Sequence, residues 1–204
     1  MSQSQPSSAA NSNQASLPPS YFEQMYAANI DPWDFETSEY EAKKYAATLA
    51  ALPQKKYRSA LEIGGSIGVL TEKLGDRTES LLSVDVSETA QHRAKERCQH
   101  LKHIKFEIMQ FPHHFPSQTF DLVIVSEVGY YWSTTDLPIA QQQIATQLEP
   151  GGHLLLVHWT PYVASYPLTG DQVHNAFLAQ AGVYWRSLVS QREERYRLNL
   201  LERL

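Results

Sequence analysis

The chain has a single cysteine, Cys98, among its 204 residues. One thiol excludes an internal disulfide framework and suits a reducing cytoplasm. No apolar run approaches membrane-spanning length, so no transmembrane helix is expected. Basic residues are in the minority, with 17 Lys and Arg against 22 Asp and Glu and a formal charge of -5. Binding nucleic acid through phosphate neutralisation requires the opposite balance. Residues 1–20 carry no charge and no sustained apolar stretch, which excludes a secretory signal there and reads as a disordered tail. Eight histidines are present, yet His100 and His103 lack the i, i+4 spacing of a helical zinc site. His113 and His114 have no cysteine near them, so no metal centre is expected.

What the chain does have is a nucleoside-binding signature in Ser59–Thr71. Ala60-Leu61-Glu62-Ile63 reads as a buried strand, and Gly64, Gly65 and Gly68 as the turn into a helix. The dinucleotide pattern G-x-G-x-x-G fails, because Ser66 occupies the second glycine position and neither Val69 nor Leu70 completes it. Glu62 places a carboxylate where a pyrophosphate would be repelled. A cofactor carrying an ammonium and a sulfonium, S-adenosylmethionine, suits that charge better. The competing reading is a helix-capping glycine turn without a ligand.

The rest of the chain supplies the frame. Tyr21–Tyr26 and Ser38–Leu52 read as two leading helices, the second opened by a Ser38/Glu41 capping box. Strands follow at Leu81–Asp85, Ile104–Met109, Phe120–Glu127 and His153–Trp159, separated by helices whose stripes include Ala90, Ala94, Cys98 and Leu137, Ala140, Ile144. Thr169–Gln180 reads as a helix, and Tyr184–Gln191 and Tyr196–Arg203 as an antiparallel pair. This cadence predicts an α/β fold, a mostly parallel sheet flanked by helices. The expected organisation is one domain over residues 21–204, with 21–56 as a helical lid and 57–204 as a Rossmann-like core. Asp85 stands 17 residues after Gly68, near the distance at which an acidic residue reaches ribose hydroxyls. Its alternative role is to cap the following helix.

The order Leu61-Glu62-Ile63-Gly64, Val84-Asp85, Phe120-Asp121 and Glu149-Pro150-Gly151-Gly152 resembles a class I S-adenosylmethionine-dependent methyltransferase. More narrowly, Asp31-Pro32-Trp33, Thr71-Glu72-Lys73-Leu74, Gln110-Phe111, Glu127-Val128, Tyr130-Tyr131 and Gly151-Gly152-His153-Leu154 resemble the nodulation protein S (NodS) family. That family N-methylates the deacetylated terminal glucosamine of a chitooligosaccharide. The resemblance implies a seven-stranded sheet whose last strand is antiparallel. It implies a methionine site at Gly64, Gly65, Ser66 and Gly68, with Glu62 near the ammonium. Asp85 would take the ribose hydroxyls, Val86 would pack on the adenine, and Glu107-Ile108 would flank it, with Met109 and Gln110 as the alternative register. Ser66 is tolerated in this turn only if its φ is negative. Tyr40 reads as a core aromatic or as a lid residue that contacts the cofactor.

Methyl transfer requires chiefly that an acceptor lone pair be placed opposite the sulfonium. An amine must be neutral to attack, and a nearby carboxylate or imidazole can take its proton. The catalytic candidates are Glu127, His158 and Tyr131, at the strand ends where open α/β sheets bind ligands. Asp171 and His174 share a helix face that could look toward the same place. The expected partner is a small-molecule methyl acceptor, most simply an amine such as an amino sugar, and the expected location is cytoplasmic. The alternatives are an O-methyltransferase using a histidine base and a cofactor-binding module without turnover. Oligomeric state is not encoded in any feature of the sequence.

Overall fold

The computed structural model describes residues 14–204. Seven strands form one sheet: β1 (Ala60–Ile63), β2 (Leu81–Asp85), β3 (Ile104–Ile108), β4 (Phe120–Ser126), β5 (Leu148–Trp159), β6 (Trp185–Arg192) and β7 (Tyr196–Arg203). Their order is β3-β2-β1-β4-β5-β7-β6. The first five pair in parallel, and β7 runs antiparallel to both β5 and β6. This is the seven-stranded sheet, mostly parallel with an antiparallel close, that the resemblance implies. Leu122, Val123, Ile124 and Val125 of β4 are all 0% exposed, because helices cover both faces of a parallel sheet and its central strand has no wet side.

Helices α3 (Val69–Gly75), α4 (Glu88–Arg97), α5 (Asp136–Gln147) and α6 (Gly170–Leu178) cover the sheet. Leu61, Val123, Leu154 and Phe177 belong to the core on one side; Leu122, Ile124, Leu155 and Leu198 belong to that on the other. Two helices precede the sheet, α1 (Pro19–Ala28) and α2 (Glu39–Ala50). Among the described residues no helix is long and apolar enough to cross a membrane.

Three local expectations are corrected. Residues 1–13 of the expected tail lie outside the described residues, but the remainder is ordered against the body. The Leu17 N–H donates to the Tyr131 carbonyl at 3.0 Å, the Ser133 N–H donates to Ser16 Oγ at 2.7 Å, and α1 begins at Pro19. The Ser38/Glu41 capping box is half formed. Ser38 accepts from the Glu41 N–H, whereas the Glu41 carboxylate is drawn away to Lys44. Strand β5 starts at Leu148 rather than His153, since Leu148 pairs with Phe120 before the register shifts and resumes at Leu122 and His153.

Candidate active site

The register of β1 against β2 and β4 aligns Ile63 with Val84 and Val125. Gly64, Asp85 and Ser126 therefore leave the sheet together along one edge. Over that edge, beneath α1 and α2, lies a cavity of about 680 Å³ lined in part by Gly64, Gly65, Ser66, Asp85, Val86 and Glu127. Six carboxylates line it (Asp34, Glu41, Glu62, Asp85, Asp136 and Glu127) against two cations, Lys44 and Arg195. The wall is thus strongly acidic.

At the β1–β2 end, Gly64 and Gly68 both take φ +83, a conformation that only glycine adopts freely. A Cβ on Gly65 would stand 1.9 Å from Ser83 Oγ, so the turn is pressed against β2 as well as opened toward the cavity. Ser66 overturns the expectation of a negative φ: its value is +51. A non-glycine residue there costs about 1–2 kcal/mol. Two bonds hold it in place, from the Ser66 N–H to Asp85 Oδ2 at 2.9 Å and from Tyr26 Oη to Ser66 Oγ at 2.6 Å. Asp85 also accepts from the Ser87 N–H at 3.0 Å. Burial raises the Asp85 carboxyl above its ordinary value, opposed by these backbone donors.

Glu62 is 1% exposed and accepts from Thr71 Oγ1 at 2.5 Å and Ser83 Oγ at 2.8 Å. Burial pushes its carboxyl up to about 7. Among the described residues no ion pair reaches Glu62 or Asp85. Two buried carboxylates without a protein cation fit a ligand that brings its own positive charge and hydroxyl donors. Val86 lines the cavity, but Glu107 and Ile108 do not; both are exposed on β3. Ile108 pairs with Asp85 and the Met109 N–H donates to the Asp85 carbonyl, so Met109 and Gln110 are the residues that overhang the edge and line the cavity.

At the β4–β5 end, Glu127 takes φ +57 and is held on three sides. Lys44 Nζ donates to Oε1 at 2.6 Å, while Tyr130 Oη at 2.6 Å and the Trp159 N–H at 2.9 Å donate to Oε2. Lys44, 2% exposed, also donates to Glu41 Oε1 at 2.8 Å. Burial opposes the Lys44 charge, but Glu127 and Glu41 outweigh it and hold the ammonium above its ordinary value. Two carboxylates share one lysine, so the cluster keeps a net negative charge. Tyr40 lines this end, its phenol pushed up to about 12 by burial and its hydroxyl without a hydrogen-bond partner among the described residues. Tyr131 meets Tyr166 across 3.5 Å between hydroxyls, and Tyr130 stacks on Tyr166 with ring centres 5.1 Å apart.

His158 is not brought to the cavity: it is 0% exposed, and its Nε2 accepts from the Gly129 N–H at 3.0 Å. His174 is buried beneath it, and Asp171 pairs with Arg192 and Arg197 at the surface. Sequence reasoning missed Lys44, Tyr26 and the segment Ala15–Pro19, all of which line the cavity. Lys44 lies three residues after Glu41 on α2 beside the apolar Tyr45, a spacing that joins the two side chains on one helix face and was available in the sequence.

A sequence profile of the family described as Nodulation protein S (NodS) matches residues 21–158. Nodulation protein S of Rhizobium tropici is 32% identical over 127 residues, covering 61% of this chain and 53% of that protein. The chain thus spans about half the length of that relative, and 59% and 61% of those from Sinorhizobium fredii and Bradyrhizobium diazoefficiens. The crystal structure of N-methyltransferase NodS from Bradyrhizobium japonicum WM9 with S-adenosyl-l-homocysteine shares the fold. Its TM-score is 0.80 at 23% identity, over 91% of this chain and 98% of that one. A candidate methyltransferase structure from Pseudomonas syringae is 34% identical, with a TM-score of 0.71, over 81% of this chain and 100% of that one.

Proposed function

This chain belongs to the nodulation protein S (NodS) family, and on that premise we propose that it is an S-adenosylmethionine-dependent methyltransferase acting on a small-molecule amine, amino sugars first. The observation that carries the reading is the charge of the cavity, six carboxylates against two cations along its wall. That surplus suits a cationic cofactor at one end and an ammonium acceptor at the other. When bound, S-adenosylmethionine supplies a methyl carbon activated by its sulfonium. Asp85 would take the ribose hydroxyls, Glu62 the methionine ammonium, Gly64–Ser66 the methionine backbone, and Val86 with Met109 the adenine.

The chain's own residues then do three things. Glu127 attracts the ammonium form of the acceptor and orients its N–H, because Lys44 holds that carboxylate in place. Proton loss from the ammonium exposes the lone pair, with the carboxylate as the nearest acceptor. Tyr130 and Tyr131 exclude water beside it. A histidine-based O-methylation gains nothing from the geometry, since His158 has its Nε2 committed to Gly129.

The test is calorimetric titration with S-adenosylmethionine, followed by mass spectrometry of methyl transfer to glucosamine, partly deacetylated chitotetraose and ethanolamine. Cofactor binding with a mass gain on an amine is the expected result. No cofactor binding would overturn the assignment, and transfer only to hydroxyl acceptors would overturn the amine reading.

A further inference from the structure

A line of buried polar groups crosses the sheet behind the acceptor end. The Gly129 N–H donates to His158 Nε2 at 3.0 Å, His158 Nδ1 faces His174 Nε2 at 3.1 Å, and His174 Nδ1 faces Asn199 Oδ1 at 2.6 Å. Asn199 Nδ2 donates onward to the Val189 carbonyl of β6 at 3.3 Å. The direction of every bond is forced. A backbone N–H can only donate, so His158 Nε2 carries no proton and Nδ1 does; His174 must then accept at Nε2 and donate from Nδ1. Asn199, whose amide nitrogen serves Val189, presents its oxygen to receive that proton. His158, His174 and Asn199 are each 0% exposed.

The packing around the line is built for it. A Cβ on Gly129 would lie 2.8 Å from His158 Nε2 and 2.7 Å from Val173 Cγ1. One on Gly170 would lie 2.2 Å from the Trp159 carbonyl oxygen and 3.0 Å from His158 Cβ. Two glycines therefore let the imidazole sit between the 3-10 turn Gly129–Tyr131 and the start of α6. That turn carries Tyr130, whose hydroxyl donates to Glu127, and Tyr131 on the cavity wall. A buried polar chain costs stability unless each member is satisfied, and in return it admits one geometry where an apolar contact would admit several.

We propose that His158, His174 and Asn199 are positioning residues: a relay that fixes the Gly129–Tyr131 turn, and with it Tyr130 over Glu127, from the far edge of the sheet. This rests on the methyl-transfer reading for its consequence, not for its geometry. The relay works with both imidazoles neutral. Burial holds His158 well below its ordinary value, helped by His174 and Lys44, while burial takes His174 to about 4. The charged groups facing the pair are Lys44 from α2, Asp171 on α6, Arg192 on β6 and Arg197 on β7. Tyr130 lies edge-on, its ring centre 5.4 Å from that of His158.

The sharpest test is Asn199→Asp, which keeps shape and adds a carboxylate beside His174. The carboxylate raises His174, and a protonated His174 has no lone pair for His158 Nδ1–H. His158 must then surrender its bond to Gly129. Histidine nitrogen spectra of the full chain should show His158 and His174 as neutral Nδ1–H tautomers from about pH 5 to 8 in the wild type. In N199D one of them should titrate in that window, and kcat/KM for glucosamine should fall more steeply than in the wild type as pH drops through it. H158L should lower kcat/KM about 30-fold with cofactor affinity within about threefold. H158Q, which restores an acceptor for Gly129, should recover about tenfold of that. An Nε2–H tautomer at His158, an H158Q variant as inactive as H158L, or an N199D profile matching the wild type would each overturn the relay. Failure of the wild type to methylate glucosamine counts against the amino-sugar reading instead, and the tautomer spectrum still decides the relay.

Discussion

The two ends of the cavity are held in different ways. At the β1–β2 end, Asp85 is fixed by backbone N–H groups of Ser66 and Ser87, and Glu62 by two neutral hydroxyls. At the β4–β5 end, Glu127 is fixed by a buried lysine that comes from α2, outside the sheet. Among the described residues the first arrangement leaves two carboxylates without a cation, which suits a cationic cofactor. The second carries its own cation, shared between Glu41 and Glu127, and depends on the leading helix being in place. A site of the first kind is built locally by the chain that forms the strand ends; one of the second kind exists only after long-range packing.

The difference breaks most visibly at Lys44. Lys44→Met leaves Glu41 and Glu127 facing each other with no cation and should cost about 3–5 kcal/mol, a fall of roughly 10 °C in thermal midpoint. Adding Glu41→Gln and Glu127→Gln to the same chain should recover at least half of that fall, because the uncompensated charges are gone. Scanning calorimetry of the single and triple variants decides it. If the triple variant melts as low as the single one, the lysine acts by packing and the contrast between the ends is lost. At the opposite end, Asp85→Ala should weaken S-adenosylmethionine binding about 100-fold, in keeping with loss of charged hydrogen bonds worth about 1.5–3 kcal/mol. Asp85→Asn should fall between, and a titration series reads both directly.

The same contrast explains what could be read from the sequence. Glu62, the glycine turn, Asp85 and Val86 lie within 25 residues of one another in the chain, and their meeting at one sheet edge follows from strand, turn and spacing alone. The parallel sheet and its antiparallel close were legible for the same reason, since each element carries its own period and cap. Lys44 and Glu127 are 83 residues apart, and no local pattern says that a helix before the first strand delivers an ammonium to the end of the fourth. His158 was misplaced for a related reason. A histidine at a strand end reads as a candidate base, whereas its burial is decided by Gly129, Val173 and Gly170 from other segments. The sequence left open whether Glu107-Ile108 or Met109-Gln110 overhangs the edge, because only the pairing of Ile108 with Asp85 shows where β3 leaves the sheet.

Glu62 sharpens the comparison through pH. Burial takes its carboxyl to about 7, above the unfolded value, so folding binds a proton. Stability from this group is full below the usual carboxylate range and is lost as pH rises through 7. A cation bound beside it favours the ionised form and reverses that preference. Cofactor affinity should therefore tighten about tenfold between pH 6 and 8 and level off above. In Glu62→Gln the affinity should be flat across that window, and the variant should gain stability over the wild type at pH 8 but not at pH 5. Since Lys44 already pairs with Glu127, acceptor-end variants should leave this pH slope untouched. A slope that survived in Glu62→Gln would move the titrating group elsewhere.

The smallest effect tests whether the β1–β2 end is held by bonds or by backbone freedom. Ser66 sits at φ +51 and receives a hydrogen bond from Tyr26. Ser66→Gly removes the left-handed strain of about 1 kcal/mol. It also forfeits the Tyr26 bond, worth about 1 kcal/mol, and gives the unfolded chain more freedom, worth about 0.4–1 kcal/mol. Gain and losses nearly cancel, so the variant should lie within about 1 kcal/mol of the wild type, on the destabilised side. Ser66→Ala keeps the strain and loses the bond, and should cost about 1 kcal/mol. Tyr26→Phe, which removes the same bond from the other partner, should match it. If Ser66→Gly proves clearly more stable than the wild type in urea unfolding, the Tyr26 bond contributes little. The turn is then held at that φ by Asp85 alone, which ties the cofactor end still more tightly to its own strand ends and separates it further from α1.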